Sequence, residues 1–105
     1  MNIIKKSENL TSRETYRMTH CSDAISVKDA GGNVCKVESF VLYETMDKPF
    51  LSFADAEGTT YVTTSPAFIE TFEDIANAMP IEDETIKIVS RTSKSGRTYS
   101  ICELA

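Results

Sequence analysis

The chain of 105 residues holds only three cysteines, four glycines, three prolines and one histidine. That scarcity limits the chemistry open to it. Cys21, Cys35 and Cys102 are odd in number and form no CxxC pair, which excludes a zinc site of the usual kind and a disulfide framework. They read as reduced thiols in a reducing compartment. Cys35 and Cys102 sit in apolar strand-like runs, where a free thiol packs as a small hydrophobe. His20 directly precedes Cys21, and neighbours on a strand point to opposite faces, so the two make no nucleophile–base pair. Gly31-Gly32 and Gly58 stand alone. Neither GxGxxG nor GxxxxGK[ST] occurs, and nucleotide-triphosphate chemistry has no motif behind it. The carboxylates Glu82-Asp83-Glu84 and Asp55/Glu57 lack calcium-loop spacing and read as a solvated connector and a turn. No metal, cofactor, catalytic residue or small-molecule substrate is expected, and the chain reads as a non-enzyme.

Long apolar runs are missing as well. No stretch approaches the ~18 residues of a membrane span. Met1-Asn2-Ile3-Ile4-Lys5-Lys6-Ser7 has no apolar segment of signal-peptide length. The expectation is a cytoplasmic protein with no membrane partner. No repeat or low-complexity linker divides the chain, so residues 1–105 are read as one domain with 1–11 a flexible arm or edge strand.

What is present is an ordinary globular composition, 41% hydrophobic and 26% charged, with a formal charge of 11 − 16 = −5. General basicity therefore cannot hold a polyanion, and any such binding needs local positive charge. The C-terminal stretch supplies it. No acid occurs from Thr85 to Cys102, while Lys87, Arg91, Lys94 and Arg97 do. Two β-like runs there flank a Ser-Lys-Ser-Gly turn.

Upstream, Ser12 to His20 is threonine-rich and reads as a strand. Ala24 to Asp29 alternates and leads into a Gly31-Gly32 hairpin turn. Val34 to Glu44 is the longest strand candidate. Its alternation breaks at Phe40-Val41-Leu42-Tyr43, which suggests a bulge or a bend from one sheet layer into another. Residues 50–55 and 59–64 read as strands joined by the Asp55-Ala56-Glu57-Gly58 turn. One helix is expected. Ser65 is its N-cap and Pro66 its first residue, and Phe68, Ile69, Phe72, Ile75, Ala76 and Met79 form one apolar face up to Pro80.

This order predicts a mainly β fold with one helix: a small five-stranded OB-type Greek-key barrel, with the Phe68/Phe72 face plugging one end. The alternative is an α+β antiparallel sheet with the single helix across one face.

The Gly turn, the long strand ending in Tyr43-Glu44, the run DAEGTTYVTTSPAFIETF and the terminal SKSGRTYSICEL resemble small single-stranded DNA-binding proteins of Gram-positive phages and mobile elements. The resemblance covers roughly residues 20–104 in pattern. It implies an OB fold and sequence-tolerant single-strand binding in replication or recombination. Housekeeping proteins of this function carry an acidic, aromatic-tipped tail. This sequence closes on Ile101-Cys102-Glu103-Leu104-Ala105, so recruitment of partners through such a tail is not expected.

Single-strand binders combine cations along a groove with aromatics that stack bases. The candidate nucleic-acid residues are Lys36, Arg91, Lys94 and Arg97 for phosphates, and Tyr43, Tyr61 and Tyr99 for bases. Arg97 and Tyr99, two apart on a strand, share a face. The bland reading of the same residues is a solvated hairpin and partly buried tyrosines. A homodimer joined at an open strand edge would lengthen the track. The competing function is a protein-interaction module, an inhibitor or assembly factor, that works through its acidic face or an open β edge.

Overall fold

Seven strands and two α-helices appear in the computed structural model, which describes residues 1–105. In chain order they are β1 (Asn2–Lys6), α1 (Ser12–Thr19), β2 (Ile25–Ser26), a 3-10 turn (Val27–Asp29), β3 (Val34–Thr45), β4 (Lys48–Asp55), β5 (Thr60–Thr63), α2 (Pro66–Ala78), β6 (Thr85–Thr92) and β7 (Thr98–Leu104). The strands order as β2-β5-β4-β3-β6-β7, with β1 added to β3. Only the β2–β5 pair is parallel. The mixed sheet curls into a half-barrel, an architecture compatible with an OB-like barrel but built from seven strands rather than five.

β3 makes the curl. Its first residues, Val34–Lys36, pair with β6, and Val37–Thr45 pair with β4. The register slips between Val37 and Ser39. The extra residue at that bulge keeps Val37 and Phe40 on the same inner face although they are three apart, as the broken alternation suggested. A two-residue turn at Met46-Asp47, both with positive φ, returns the chain into β4. At the next turn the Asp55 carboxylate accepts the Glu57 and Thr59 N–H groups at 3.0 and 2.9 Å, and Gly58 takes φ +89°. Asp55 is thus a turn-former.

The inner face holds the main core. Phe53 stacks with Tyr61, Phe68 and Phe72 at 5.1, 5.8 and 5.5 Å between ring centroids. Phe40 meets Phe72 edge-on at 5.4 Å. α2 delivers Phe68, Ile69 and Phe72 to this face, and the Ser65 hydroxyl caps it by accepting the Phe68 N–H at 3.4 Å. The Thr71 hydroxyl of α2 accepts the Cys102 N–H of β7 at 3.0 Å, which fixes the helix to the end of the sheet.

Three expectations are overturned. Ser12–Thr19 is a helix, not a strand. Its N-terminus is a capping box: the Thr11 hydroxyl accepts the Glu14 N–H and the Glu14 carboxylate accepts the Thr11 N–H, at 3.1 and 3.0 Å. Thr15 and Thr19 turn their hydroxyls back onto the carbonyls of Thr11 and Thr15, so both hydroxyls are satisfied within the helix. Second, the run from Ala24 keeps only two strand residues, parallel to β5, so Gly31-Gly32 does not close a hairpin between β2 and β3. Third, two helices lie on opposite faces, which sets aside a single helix across one side. α1 and the segment before it bury Leu10 and Met18 against Val41 and Tyr43 on the outer face. The N-terminal segment is an edge strand, antiparallel to β3 and bulged between Ile3 and Lys5. No helix is long and apolar enough to cross a membrane.

Candidate nucleic-acid interface

The outer face of the β3–β6–β7 end of the sheet is assembled by register. β6 and β7 pair without interruption, Lys87 opposite Glu103, Val89 opposite Ile101 and Arg91 opposite Tyr99. On the β3 side Val34 lies opposite Lys87 and Lys36 opposite Thr85. Directly opposed residues share a face. The intervening positions Cys35, Ile86, Ile88, Ser100 and Cys102 are all buried on the inner side. The outer face therefore carries Lys36, Lys87, Arg91 and Tyr99 around the half-buried aliphatics Val89 and Ile101. Arg97 follows on the Tyr99 side, one residue before β7 begins.

The tip of the hairpin is an ordered turn. The Ser93 N–H donates to the Arg97 carbonyl at 2.8 Å and the Gly96 N–H to the Ser93 carbonyl at 2.9 Å, with Gly96 at φ +82°. Ser93 also accepts the Arg97 N–H on its hydroxyl at 3.2 Å. Lys94 is exposed at the tip. Any side chain at position 96 would meet the left-handed backbone penalty, which is why glycine closes this turn.

Of the seven candidate residues, the hairpin brings Arg91, Arg97 and Tyr99 together with Lys94 at the rim, and Lys36 lies on the same outer face about 20 Å away at the other end of β6. Tyr99 is 40% exposed. Tyr43 and Tyr61 do not join them, and their assignment as stacking surfaces is corrected. Tyr43, 6% exposed, lies under α1 with its ring stacked on Phe50 at 5.4 Å. Tyr61, 5% exposed, belongs to the inner core. Burial, with the Cys35 thiol beside it, pushes its phenol up to about 12. Tyr61, between Thr60 and Val62, has no sequence cue to which face it takes; for Tyr43, at the end of the continuous Phe40-Val41-Leu42-Tyr43 run, the bulge in β3 decides it.

Arg91 is not free of acid. Register sets Glu103 on the same face, and its carboxylate meets the Arg91 guanidinium at 2.8 Å. The pair is exposed and worth ~0–1 kcal/mol, so a phosphate can replace the carboxylate at little cost. No group of His, Cys, Asp and Glu side chains has the arrangement to hold a metal ion. The Cys102 thiol is pushed up to about 11 by burial and the Cys35 thiol is raised by burial too, so neither is an activated nucleophile.

No family model, curated protein or solved structure matches this chain. The resemblance to phage single-stranded DNA-binding proteins therefore has no matching family, protein or structure behind it.

Sequence reasoning counted Lys87 among the hairpin cations without giving it a contact role, and it missed the helix that gathers the cations and aromatic of α1 on one side. Lys87, a cation of the hairpin, is central to the outer face through its pairing with Val34. Arg13, Tyr16, Arg17 and His20 line one side of α1, a spacing of i, i+3, i+4 and i+7 that becomes a stripe only on a helix. The capping-box pattern Thr11-x-x-Glu14 was the signal that could have found it.

Proposed function

We propose that this protein binds single-stranded DNA without strong sequence preference, through the outer face of its β3–β6–β7 sheet, in the replication or recombination of a phage or mobile element. The observation that carries the reading is the register. It sets Lys36, Lys87, Arg91 and Tyr99 in a line along one outer face, about 20 Å from the Lys36 end to the Tyr99 end, on a protein of net charge −5, with Arg97 two residues before Tyr99 at the hairpin end. The cations neutralise phosphates and release counterions. Tyr99 offers a ring to a base, a contact worth about 1–3 kcal/mol. Stacking reads no base edge, so discrimination between sequences is weak. Val89 and Ile101 give the sugar–base edge an apolar bed between the charges.

The test is fluorescence anisotropy with labelled oligo-dT at two salt concentrations. Binding should weaken steeply with salt. Replacing Arg91, Lys94 and Arg97 by Gln should reduce the log–log salt slope by about 2, from about 0.7 per phosphate contact on a single strand. Glu103→Gln should tighten binding by releasing Arg91. Absence of binding even at low salt overturns the reading.

One observation favours a protein partner instead. A groove of about 420 Å³ between β1 and α2 has Ile4, Leu42, Pro49 and Ile69 along it and Glu70, Glu73 and Asp74 at its rim. A basic, apolar segment of another protein fits that chemistry. Under this second reading, neutralising the hairpin cations changes nothing, and neutralising the α2 carboxylates abolishes binding. A second copy pairing at β1 is less favoured, because the strand is bulged and carries Lys5 and Lys6, devices that blunt a sheet edge.

A further inference from the structure

We propose that α1 is a second contact for the same strand, with Tyr16 as its stacking platform and Arg13 and Arg17 as its phosphate partners. The proposal rests on the single-strand reading of the sheet face and extends it to a surface that reading does not use.

Tyr16 is 63% exposed, more than any other tyrosine of the chain. It contributes nothing to the small core that α1 covers, which is built from Leu10 and Met18. Its ring is nevertheless fixed. The His20 imidazole stacks on it at 4.1 Å between centroids and 16° between planes. His20 Nδ1 lies 2.9 Å from the Tyr16 carbonyl and 3.0 Å from the Thr19 hydroxyl, contacts that hold the imidazole against the tyrosine ring. One ring face rests on His20 and the other is open to solvent. A base laid there continues a stack that already exists and orders no new side chain. Arg13 and Arg17, both exposed, precede and follow Tyr16 along the same side of the helix. Glu14, the acid among them, spends its carboxylate on the Thr11 N–H in the capping box.

Position joins this stripe to the sheet face. Residues Val34, Lys36, Ser39, Val41 and Tyr43 run along one continuous outer surface of β3, carried past the bulge. α1 sits on the far half of that surface, where the Ser39 hydroxyl meets the Met18 sulfur at 3.6 Å. Lys36 is three residues away on the strand, about 10 Å. Arg17 stands at the step, lining a hollow of about 360 Å³ with Glu38, Ser39 and Gly58. A strand lying on Tyr99 and Lys87 reaches Lys36 and meets Arg17 and Tyr16 next. Carboxylates border that route: Glu14 and Glu38 line the hollow with Arg17, and Asp55 and Glu57 line the neighbouring one with Lys36.

The experiment is an anisotropy titration of the whole protein with two oligo-dT lengths, about 5 and about 16 nucleotides, which bracket the site sizes of a single domain of this kind. The variant is Arg13→Gln/Tyr16→Ala/Arg17→Gln. It leaves the capping box and Met18 in place, and circular dichroism checks that it is folded. The wild type should bind both oligomers, the long one more tightly. The variant should bind the short oligomer as the wild type does and lose about tenfold on the long one. Its salt slope on the long oligomer should fall by about 1.4, two contacts at about 0.7 each. Tyr16→Phe, which keeps the ring, should retain wild-type affinity. A folded variant that binds the long oligomer as the wild type does overturns the α1 contact and leaves the sheet reading standing. A wild type that binds neither oligomer overturns both.

Discussion

The two faces of the sheet are made for different tasks. The inner face gathers sixteen buried residues, with Phe53 at the centre of a group of rings from β4, β5 and α2. The outer face buries a cluster of only four hydrophobic residues, Leu10, Met18, Val41 and Tyr43, where α1 covers it. Beyond the bulge in β3 the same outer face is bare, and there the cations and Tyr99 lie. Stability is therefore concentrated on one side. The other side is left half-covered, and its uncovered half can meet a partner without unfolding anything. α1 has eight residues, well short of the ~12–15 that an isolated helix needs, so its existence depends on that small patch of burial.

The contrast can be broken most sharply from the inside. Phe53→Ala should destabilise the protein by about 3–5 kcal/mol, read from the urea midpoint, because it removes the ring that three others pack upon. Met18→Ala on the outer face should cost about 2 kcal/mol, at the low end for such a truncation. Its mark should be local: amide exchange in α1 should accelerate while the Phe53 region stays protected. An equal loss of protection on both faces would show that the two cores are one.

Alkaline titration sharpens the comparison further. The three groups whose ionisation burial suppresses, Cys35, Tyr61 and Cys102, all belong to the inner cluster. In the unfolded chain the thiols ionise near 9.0 and the phenol near 10.0, whereas folded Cys102 and Tyr61 wait until about 11 and about 12. Between those values the unfolded state has released protons that the folded state keeps. The stabilisation is thus complete below pH 9 and is lost as pH rises towards 12. Thermal melts should therefore fall steadily over that window, and a flat profile would remove these groups from the core.

The smallest effect is a gain. Ser52 is buried, and its hydroxyl has no hydrogen-bond partner. It sits opposite Val41 in the strand pairing, on the α1 side of β4. Ser52→Ala removes an unsatisfied polar group and should raise stability by about 1 kcal/mol. A loss of that size would mean the hydroxyl makes a bond that folding requires.

Much of this was legible from the residues alone. Ser65, Pro66 and the Phe68/Phe72 spacing define α2, since capping and a 3.6-residue apolar period are both local. The Asp55–Gly58 turn and the Ser93–Gly96 turn are local too, each closed by a glycine with positive φ. The break in alternation at Phe40 announced the bend in β3. α1 was lost because its threonines speak for a strand, while its capping box is brief and its burial comes from a surface it meets only after the sheet has formed.

The sequence by itself determined where positive charge gathers, that the chain would be mostly β, and that one amphipathic helix would close over aromatic residues. Those follow from composition and short-range periodicity. Only the tertiary structure decided which tyrosines face solvent, that Glu103 stands against Arg91, and that Lys36 and Lys87 share a face with Tyr99. Each depends on strand register, and a shift of one residue would turn every one of those side chains to the opposite side.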